Sequence, residues 1–240
     1  MTSVMEHYKK LHELSGEILD KTVNTQGSLE ALRKCHCYLE DFTAFFKVVV
    51  GRREASVLER GLIEYQFGLI AVTVGRYRHA FASLRLSLEY FLATVDFSAN
   101  ERLLRLWENG RQDIVWQRFV DKEIGVLSKS FVGAFWEDMK EHVPRYQALA
   151  EKVYRECSEY VHGNCLASSK LPSVLAFSTD AVLEWEAKAR VVHLVALFAL
   201  TVRYLPDLSE DAHKRIEPVI TDHLGHLAEV REALGGPVES

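Results

Sequence analysis

Hydrophobic residues recur at intervals of three and four along nearly the whole chain, with polar residues between them. This spacing gathers apolar side chains on one face of an α-helix, whereas a half-buried β-strand alternates every second residue. The sequence contains no convincing β-hairpin pattern, internal repeat or low-complexity segment. The pattern predicts helices over 4–20, 29–50, 54–74, 77–95, 101–108, 113–123, 128–143, 144–162, 181–205 and 209–234.

Two of these helices carry the strongest patterns. The helix over 77–95 has a core-facing stripe that consists of Tyr77, Phe81, Leu84, Leu88, Phe91 and Val95. In the helix over 181–205, the run 191–202 is apolar around most of its circumference, so we expect this helix to be central and the most buried. The first helix is expected to be amphipathic, and its residues expected to face the core are Leu11, Leu14, Ile18 and Leu19.

The segment 165–178 is the least regular part of the chain and predicts a long loop or a flap. Because the other long segments have the helical period, the predicted fold class is all-α, a helical bundle with additional N- and C-terminal helices. We expect one globular unit. In it, 1–53 forms N-terminal helices that pack on the core, 54–206 forms the bundle, and 207–240 forms a C-terminal helix and tail.

Composition and charge narrow the possible partners. Hydrophobic residues make up 48% of the 240 and charged residues 26%, which is typical of a soluble globular protein. The formal net charge is -5, so the chain has no global positive field to attract nucleic acid. An RNA site would therefore have to be a local basic cleft.

The sequence also suggests a cellular location. The first 20 residues mix polar and apolar types, unlike a signal peptide, and the most apolar run, 191–202, is too short to span a membrane. Cys35 and Cys37 are poorly spaced for a disulfide, and nothing else indicates secretion. We therefore expect a cytoplasmic protein with no membrane partner.

The most distinctive chemistry lies at the end of the helix over 144–162. A polar stripe on one face consists of Arg155, Ser158, Glu159 and His162, at i, i+3, i+4 and i+7. Arg155 and His162 would stand roughly 10 Å apart along that face. Gly163 suits the left-handed position that ends a helix. An arginine and a histidine, which titrates near neutral pH, are a plausible pair for phosphate chemistry.

A second polar stripe lies beside the core face of the helix over 77–95. It consists of Arg78, Ala82, Arg85 and Glu89. Arg85 and Glu89 are four residues apart and can form a structural ion pair. Alternatively, Arg78 and Arg85 supply phosphate contacts.

Metal and nucleotide motifs are weak or absent. Cys35-His36-Cys37 chelates badly, because residues two apart on a helix point to different faces. His223 and His226 could hold a metal, but no carboxylate joins them convincingly in the sequence, and a solvated face is the simpler interpretation. No phosphate-binding glycine loop, nucleophile elbow or HExxH helix occurs. We therefore expect no metal and no cofactor.

Arg155 and His162 match the motif of HEPN domains, in which four to six residues separate an arginine from a histidine. HEPN domains are helical proteins of prokaryotic toxin–antitoxin, phage-defence and CRISPR-associated systems and of RNA processing. The stretch 154–164 resembles the end of that family's motif helix, and 78–85 resembles the earlier helix beside it. The resemblance covers about 61–205. Many active members carry Asn, Asp or His directly after the arginine, where this chain has Glu156.

The resemblance implies a HEPN-type bundle and a homodimer whose motif helices meet in one composite cleft. It also implies metal-independent RNA cleavage, in which the 2′-hydroxyl attacks the adjacent phosphate. Arg155 would bind the scissile phosphate and His162 would act as general acid or base. The residues given supporting roles are Glu156, Ser158, Glu159 and Asn164.

The first hypothesis is therefore an endoribonuclease that acts as a toxin or effector of a bacterial defence system. Its expected partners are an RNA such as a tRNA, a second copy of the chain, and an antitoxin or other defence-system protein that restrains it. The alternative is a catalytically inactive HEPN-like module that dimerises and binds a protein, nucleic acid or nucleotide. A third hypothesis is a helical protein that binds a small ligand and has no nucleic-acid role.

Overall fold

The computed structural model describes residues 3–236, and every regular element among them is helical. The α-helices are α1 (Val4–Asn24), α2 (Gln26–Val49), α3 (Ala55–Thr73), α4 (Tyr77–Ala99), α5 (Glu101–Glu108), α6 (Trp116–Phe119), α7 (Lys129–Phe135), α8 (Val143–Val161), α9 (Cys165–Ser168), α10 (Thr179–Tyr204), α11 (Glu210–Leu224) and α12 (Ala228–Ala233). Two 3₁₀ segments, Glu137–His142 and Leu205–Asp207, precede α8 and follow α10. The all-α prediction is confirmed.

Helix α10 lies at the centre of the bundle, as the apolar run predicts. It packs against α2, α4 and α8, and every residue over 195–204 is buried. Phe198 of α10 stacks on Tyr146 of α8, with ring centroids 3.9 Å apart. Among the described residues, Thr179–Asp207 is the one helical stretch apolar and long enough to cross a membrane, but 78% of its most apolar window lies inside the protein.

Helices α3 and α4 form a closely packed antiparallel pair. Gly75, with φ +78, turns the chain between them. At Gly61 the helices approach so closely that an added Cβ would lie 2.6 Å from Cε1 of Phe91. Further along the same face, a Cβ on Gly68 would lie 3.0 Å from Trp185 of α10. The glycines of α3 therefore let it lie flush against two neighbours.

A single hydrophobic cluster extends from α2 to α12 and includes residues from all three predicted segments, among them Phe42, Phe91 and Ile220. Phe42 and Phe91 are in ring contact at 4.2 Å, which joins the N-terminal helices to the bundle.

Helix α1 contributes less to this core than its apolar stripe predicts. Of the four residues expected to face inward, only Ile18 is buried, while Leu11 and Leu19 are 37% and 38% exposed. All of the residues over 3–13 are exposed, because α1 contacts α2 and α3 mainly through its C-terminal half. A helical stripe identifies the apolar face of a helix but not whether another element covers it.

Three predicted helices are shorter or divided. The helix expected over 113–123 is only α6, and that over 128–143 is α7 followed by a 3₁₀ segment. After α6, the side chain of Asp121 accepts hydrogen bonds from the backbone N–H groups of Glu123 and Ile124, both at 2.9 Å. Such local bonds compete with helix formation. The last predicted helix is divided at Gly225 into α11 and α12.

Candidate functional site

The C-terminal half of α8 is held on the bundle by aromatic stacking. Tyr160 stacks on Phe81 of α4 at 4.0 Å, and Tyr154 stacks on Trp116 of α6 at 3.8 Å. The buried face consists of Val143, Tyr146, Ala150, Val153, Cys157 and Tyr160. These contacts fix the rotation of α8 and so determine which stripe faces solvent.

Arg155 and His162 lie on the solvent face of α8, and both are exposed. Within residues 3–236, neither side chain makes a hydrogen bond or an ion pair. The two residues are separated by two helical turns, roughly 10 Å along the axis, so they share a face without touching. The structure thus places both predicted site residues where a phosphate group can reach them.

The end of α8 is a well-defined corner. Gly163 has φ +68, which confirms the left-handed position expected from the sequence, and the N–H of Asn164 donates to the carbonyl of Glu159 at 3.0 Å. This is the long-range bond of a Schellman motif. The side chain of Asn164 then caps α9 by accepting from Leu166 N at 2.9 Å. The backbone at His162 is therefore fixed by bonds on both sides of it.

The predicted supporting residues have other contacts in the monomer. Glu156 pairs with Lys188 of α10 at 2.6 Å, and Lys188 also pairs with Glu184 at 3.1 Å. The Ser158 hydroxyl donates to the carbonyl of Tyr154 at 2.7 Å. The side chain of Glu159 is partly exposed and makes no hydrogen bond within the described residues. The carboxylate next to Arg155 in sequence is thus directed toward α10 and neutralised there.

Arg85 belongs to a structural group, as its spacing from Glu89 predicts. The two side chains pair at 3.4 Å, and the guanidinium lies 4.7 Å from the ring centroid of Tyr154. The Tyr154 hydroxyl donates to Glu89 at 3.0 Å. Burial and the nearby Glu89 carboxylate raise the pKa of Tyr154 to about 12. This group ties α4 to α8 and leaves Arg85 unavailable as a free phosphate ligand.

Arg78 lies instead in a basic cleft at the start of α4. The side chain is exposed and its Nη2 lies 3.3 Å from the Ser168 hydroxyl of α9. The cleft has a volume of about 580 Å³, and the chain that follows α8 forms one wall. Its lining includes Arg76, Arg78 and His79 and no carboxylate. The local basic surface that the net charge requires of an RNA-binding protein is therefore present at this position.

A separate cluster joins His223, which the sequence analysis weighed as a metal ligand, to two residues that it did not name. Asp41 of α2, His193 of α10 and His223 of α11 come together although they are far apart in sequence. One sequence feature could have indicated this cluster: His193 is a polar residue inside the most apolar run of the chain. A histidine buried there needs a polar partner. Of the metal candidates weighed from the sequence, His223 joins this cluster and the others do not: Cys35 is buried while Cys37 is exposed, and His226 contacts Arg145 at 3.5 Å.

No protein-family model, curated protein or solved structure matches this chain. The fold and the site define it as an all-α protein with an exposed arginine–histidine face on one helix. The resemblance to HEPN domains remains a prediction that rests on the residues of α8 and α4.

Proposed function

We propose that this protein is a metal-independent endoribonuclease that acts as a toxin or effector in a bacterial defence system. The observation that carries the proposal is the state of Arg155 and His162, which are both exposed and unpaired on one face of α8. Structural arginines and histidines normally have partners, as Arg85 and His142 do here. A pair without partners is available to a ligand.

The spacing of the pair favours a site built from two copies. One α8 separates its arginine from its histidine by two turns, so a single copy does not present both groups to one phosphate. If two α8 helices lie antiparallel across a two-fold axis, the arginine of one copy faces the histidine of the other. Each end of the shared face then holds one complete pair.

The roles follow from the side chains. The 2′-oxygen forms a bond to phosphorus while the bond to the 5′-oxygen breaks, so one proton must be removed and another supplied. His162 would remove the one proton or supply the other, which is the role that histidine most often has in general acid–base catalysis. The forked guanidinium of Arg155 would bind the phosphate oxygens and stabilise their growing charge. The cleft at Arg78 would contact a flanking phosphate.

The test is cleavage of total cellular RNA, including tRNA, by purified protein in EDTA. Arg155→Ala and His162→Ala are each expected to lower the rate by at least about 100-fold. A general acid or base typically contributes that much, and so does a group that stabilises charge in the transition state. Lys152→Ala is the matched control, since it removes one positive charge from the same exposed face. Circular dichroism should show the same helix content in all variants.

Equal cleavage by wild type and His162→Ala would contradict the proposal, as would equal losses in all three variants. If the wild type binds RNA as a dimer without cutting it, the alternative of a catalytically inactive module takes its place.

A further inference from the structure

Three helices bring one potential ligand atom each to a common point. Oδ2 of Asp41 lies 2.8 Å from Nε2 of His193 and 3.1 Å from Nε2 of His223. The three atoms all lie within 4.8 Å of one another. They come from α2, α10 and α11, so tertiary packing and not local sequence assembles the cluster. The three atoms are close enough to become ligands of one ion once the side chains separate slightly.

His193 is the member that lacks a satisfactory partner. Its side chain is fully buried, yet within the described part of the chain neither ring nitrogen has a hydrogen bond of acceptable geometry. Nε2 lies 2.8 Å from Oδ2 of Asp41, but this contact does not meet the geometric criteria for a hydrogen bond. Buried polar groups are nearly always paired, so an imidazole in this position needs an explanation. A ligand between the three side chains would explain the position of Nε2, the ring nitrogen that faces Asp41.

The imidazole ring of His193 is held in place by aromatic neighbours. Tyr38 stacks on His193 with ring centroids 4.4 Å apart, and Phe42 meets the same ring edge-on at 5.3 Å. Both aromatic residues belong to α2, which also carries Asp41. Helix α2 therefore provides one potential ligand, Asp41, and the aromatic rings that orient a second one, His193. Metal sites built on rigid elements bind tightly because their ligands are already in position.

We propose that Asp41, His193 and His223 bind one divalent transition-metal ion, with Zn²⁺ as the best match. Two imidazoles and a carboxylate suit zinc, whereas Mg²⁺ and Ca²⁺ prefer all-oxygen sites. Zinc lies about 2.0–2.2 Å from such ligands, so tetrahedral ligand atoms stand roughly 3.3 Å apart. The two distances at Asp41 fit after shifts of a few tenths of an ångström.

The proposed ion has three protein ligands and one open position. The side chains of His223 and Asp41 are 28% and 16% exposed, so water can complete the coordination from the solvent side. The ion would also join α11 to α2 and α10, and thereby fix the C-terminal helices on the bundle. The site shares no residue with the α8 face, and its test does not depend on RNA cleavage.

The test is zinc binding by untagged protein that has been stripped with EDTA and then dialysed. Isothermal titration calorimetry with Zn²⁺ is expected to show one tight site per chain, and Co²⁺ is expected to give the visible absorption of a tetrahedral complex. His223→Gln should weaken Zn²⁺ binding by at least about tenfold, since even outer-shell changes cost that much. His223 is part-exposed, so this variant should keep the fold.

Two histidine variants serve as controls. His226→Gln changes the turn directly after α11, three residues beyond His223, and His162→Ala changes the α8 face. Both are expected to bind Zn²⁺ like the wild type. Failure of the wild type to bind Zn²⁺ would overturn the proposal, and so would unchanged binding in His223→Gln. If His223→Gln does not fold, the Co²⁺ spectrum of the wild type decides. Nitrogen and oxygen ligands in a tetrahedral arrangement give visible absorption without the near-ultraviolet charge-transfer band that binding by the exposed Cys37 or Cys165 would add.

Discussion

Cysteines that are near each other in sequence lie in opposite environments. Cys157 is buried in the core face of α8, whereas Cys165 is exposed on α9. Burial raises the pKa of the Cys157 thiol to about 12, so it carries almost no thiolate at neutral pH. Cys35 and Cys37 on α2 show the same contrast, and burial also raises the pKa of Cys35.

We predict that a thiol reagent modifies two cysteines in the native protein and four after unfolding. The fast pair should be Cys37 and Cys165, because they are exposed, and the slow pair Cys35 and Cys157. Titration with a chromogenic disulfide near pH 8, with and without denaturant, counts them. The double variant Cys37→Ser/Cys165→Ser should show no fast phase. Four fast thiols in the native wild type would contradict the burial of α2 and α8.

At the residue scale, sequence reasoning succeeds where partners are local. The pair Arg85–Glu89 is readable from its i, i+4 spacing, and the corner at Gly163 from its residue type. The pair Glu156–Lys188 is not, because its partners lie on different helices whose relative rotation the sequence does not give. Asp41 and His223 are 182 residues apart, so only the fold shows that they meet.

Among the elements, the α3–α4 pair depends on a close approach at Gly61. The Phe91 ring faces this glycine and is itself fully buried against Phe42, so it has no free space to move into. Gly16 on α1 is the opposite case, because an added Cβ there meets nothing within 4 Å. Helix packing thus requires a glycine at position 61, whereas position 16 has space for a larger side chain.

Gly61→Ala should therefore lower the free energy of unfolding by about 1–3 kcal/mol, as extra methyl groups do in tightly packed cores. For a chain of this length, this corresponds to a Tm about 2–4 °C lower per kcal/mol. Thermal unfolding followed by circular dichroism measures the change. Gly16→Ala is the control, and it should leave Tm unchanged or slightly higher because alanine favours the helix. A Tm for Gly61→Ala at or above that of the wild type would show that the helices are further apart.

The sequence predicts which segments form helices in this chain, but not which of their apolar faces are covered by other helices. The periodic stripes of α2, α4 and α10 identify both the helices and their buried faces. The stripe of α1 is equally helical, yet most of it lies in solvent. The segments between α5 and α8 have few regular positions, and side-chain bonds such as those of Asp121 decide where their short helices end.

At the scale of the whole molecule, one cluster joins α2 to α12, and the first turns of α1 lie outside it. The chain over 165–178, in which the short α9 is the one regular element, also contributes little to this cluster. These two parts have few buried apolar contacts, so their local opening should cost the least free energy. The rest of the described chain should unfold only when the whole bundle unfolds.

Limited trypsin digestion should reflect this difference. The first cuts are expected after Lys9 or Lys10 in α1 and after Lys170 in the chain that follows α9. Lys188 and Arg190 in α10 should resist, because their helix is packed in the centre of the bundle. Mass spectrometry of early time points identifies the cuts. Early cleavage within α10 would mean that the central helix is less protected than its burial indicates.

The burial of α10 has a consequence for how the protein folds while it is being synthesised. Outside its bundle, this helix would be apolar enough to enter a membrane or to aggregate. The helices that cover it, α2, α4 and α8, all precede it in the chain, so a ribosome completes the receiving surface before α10 emerges. The vectorial direction of translation thus gives the most hydrophobic segment of the protein a place to pack as soon as it appears.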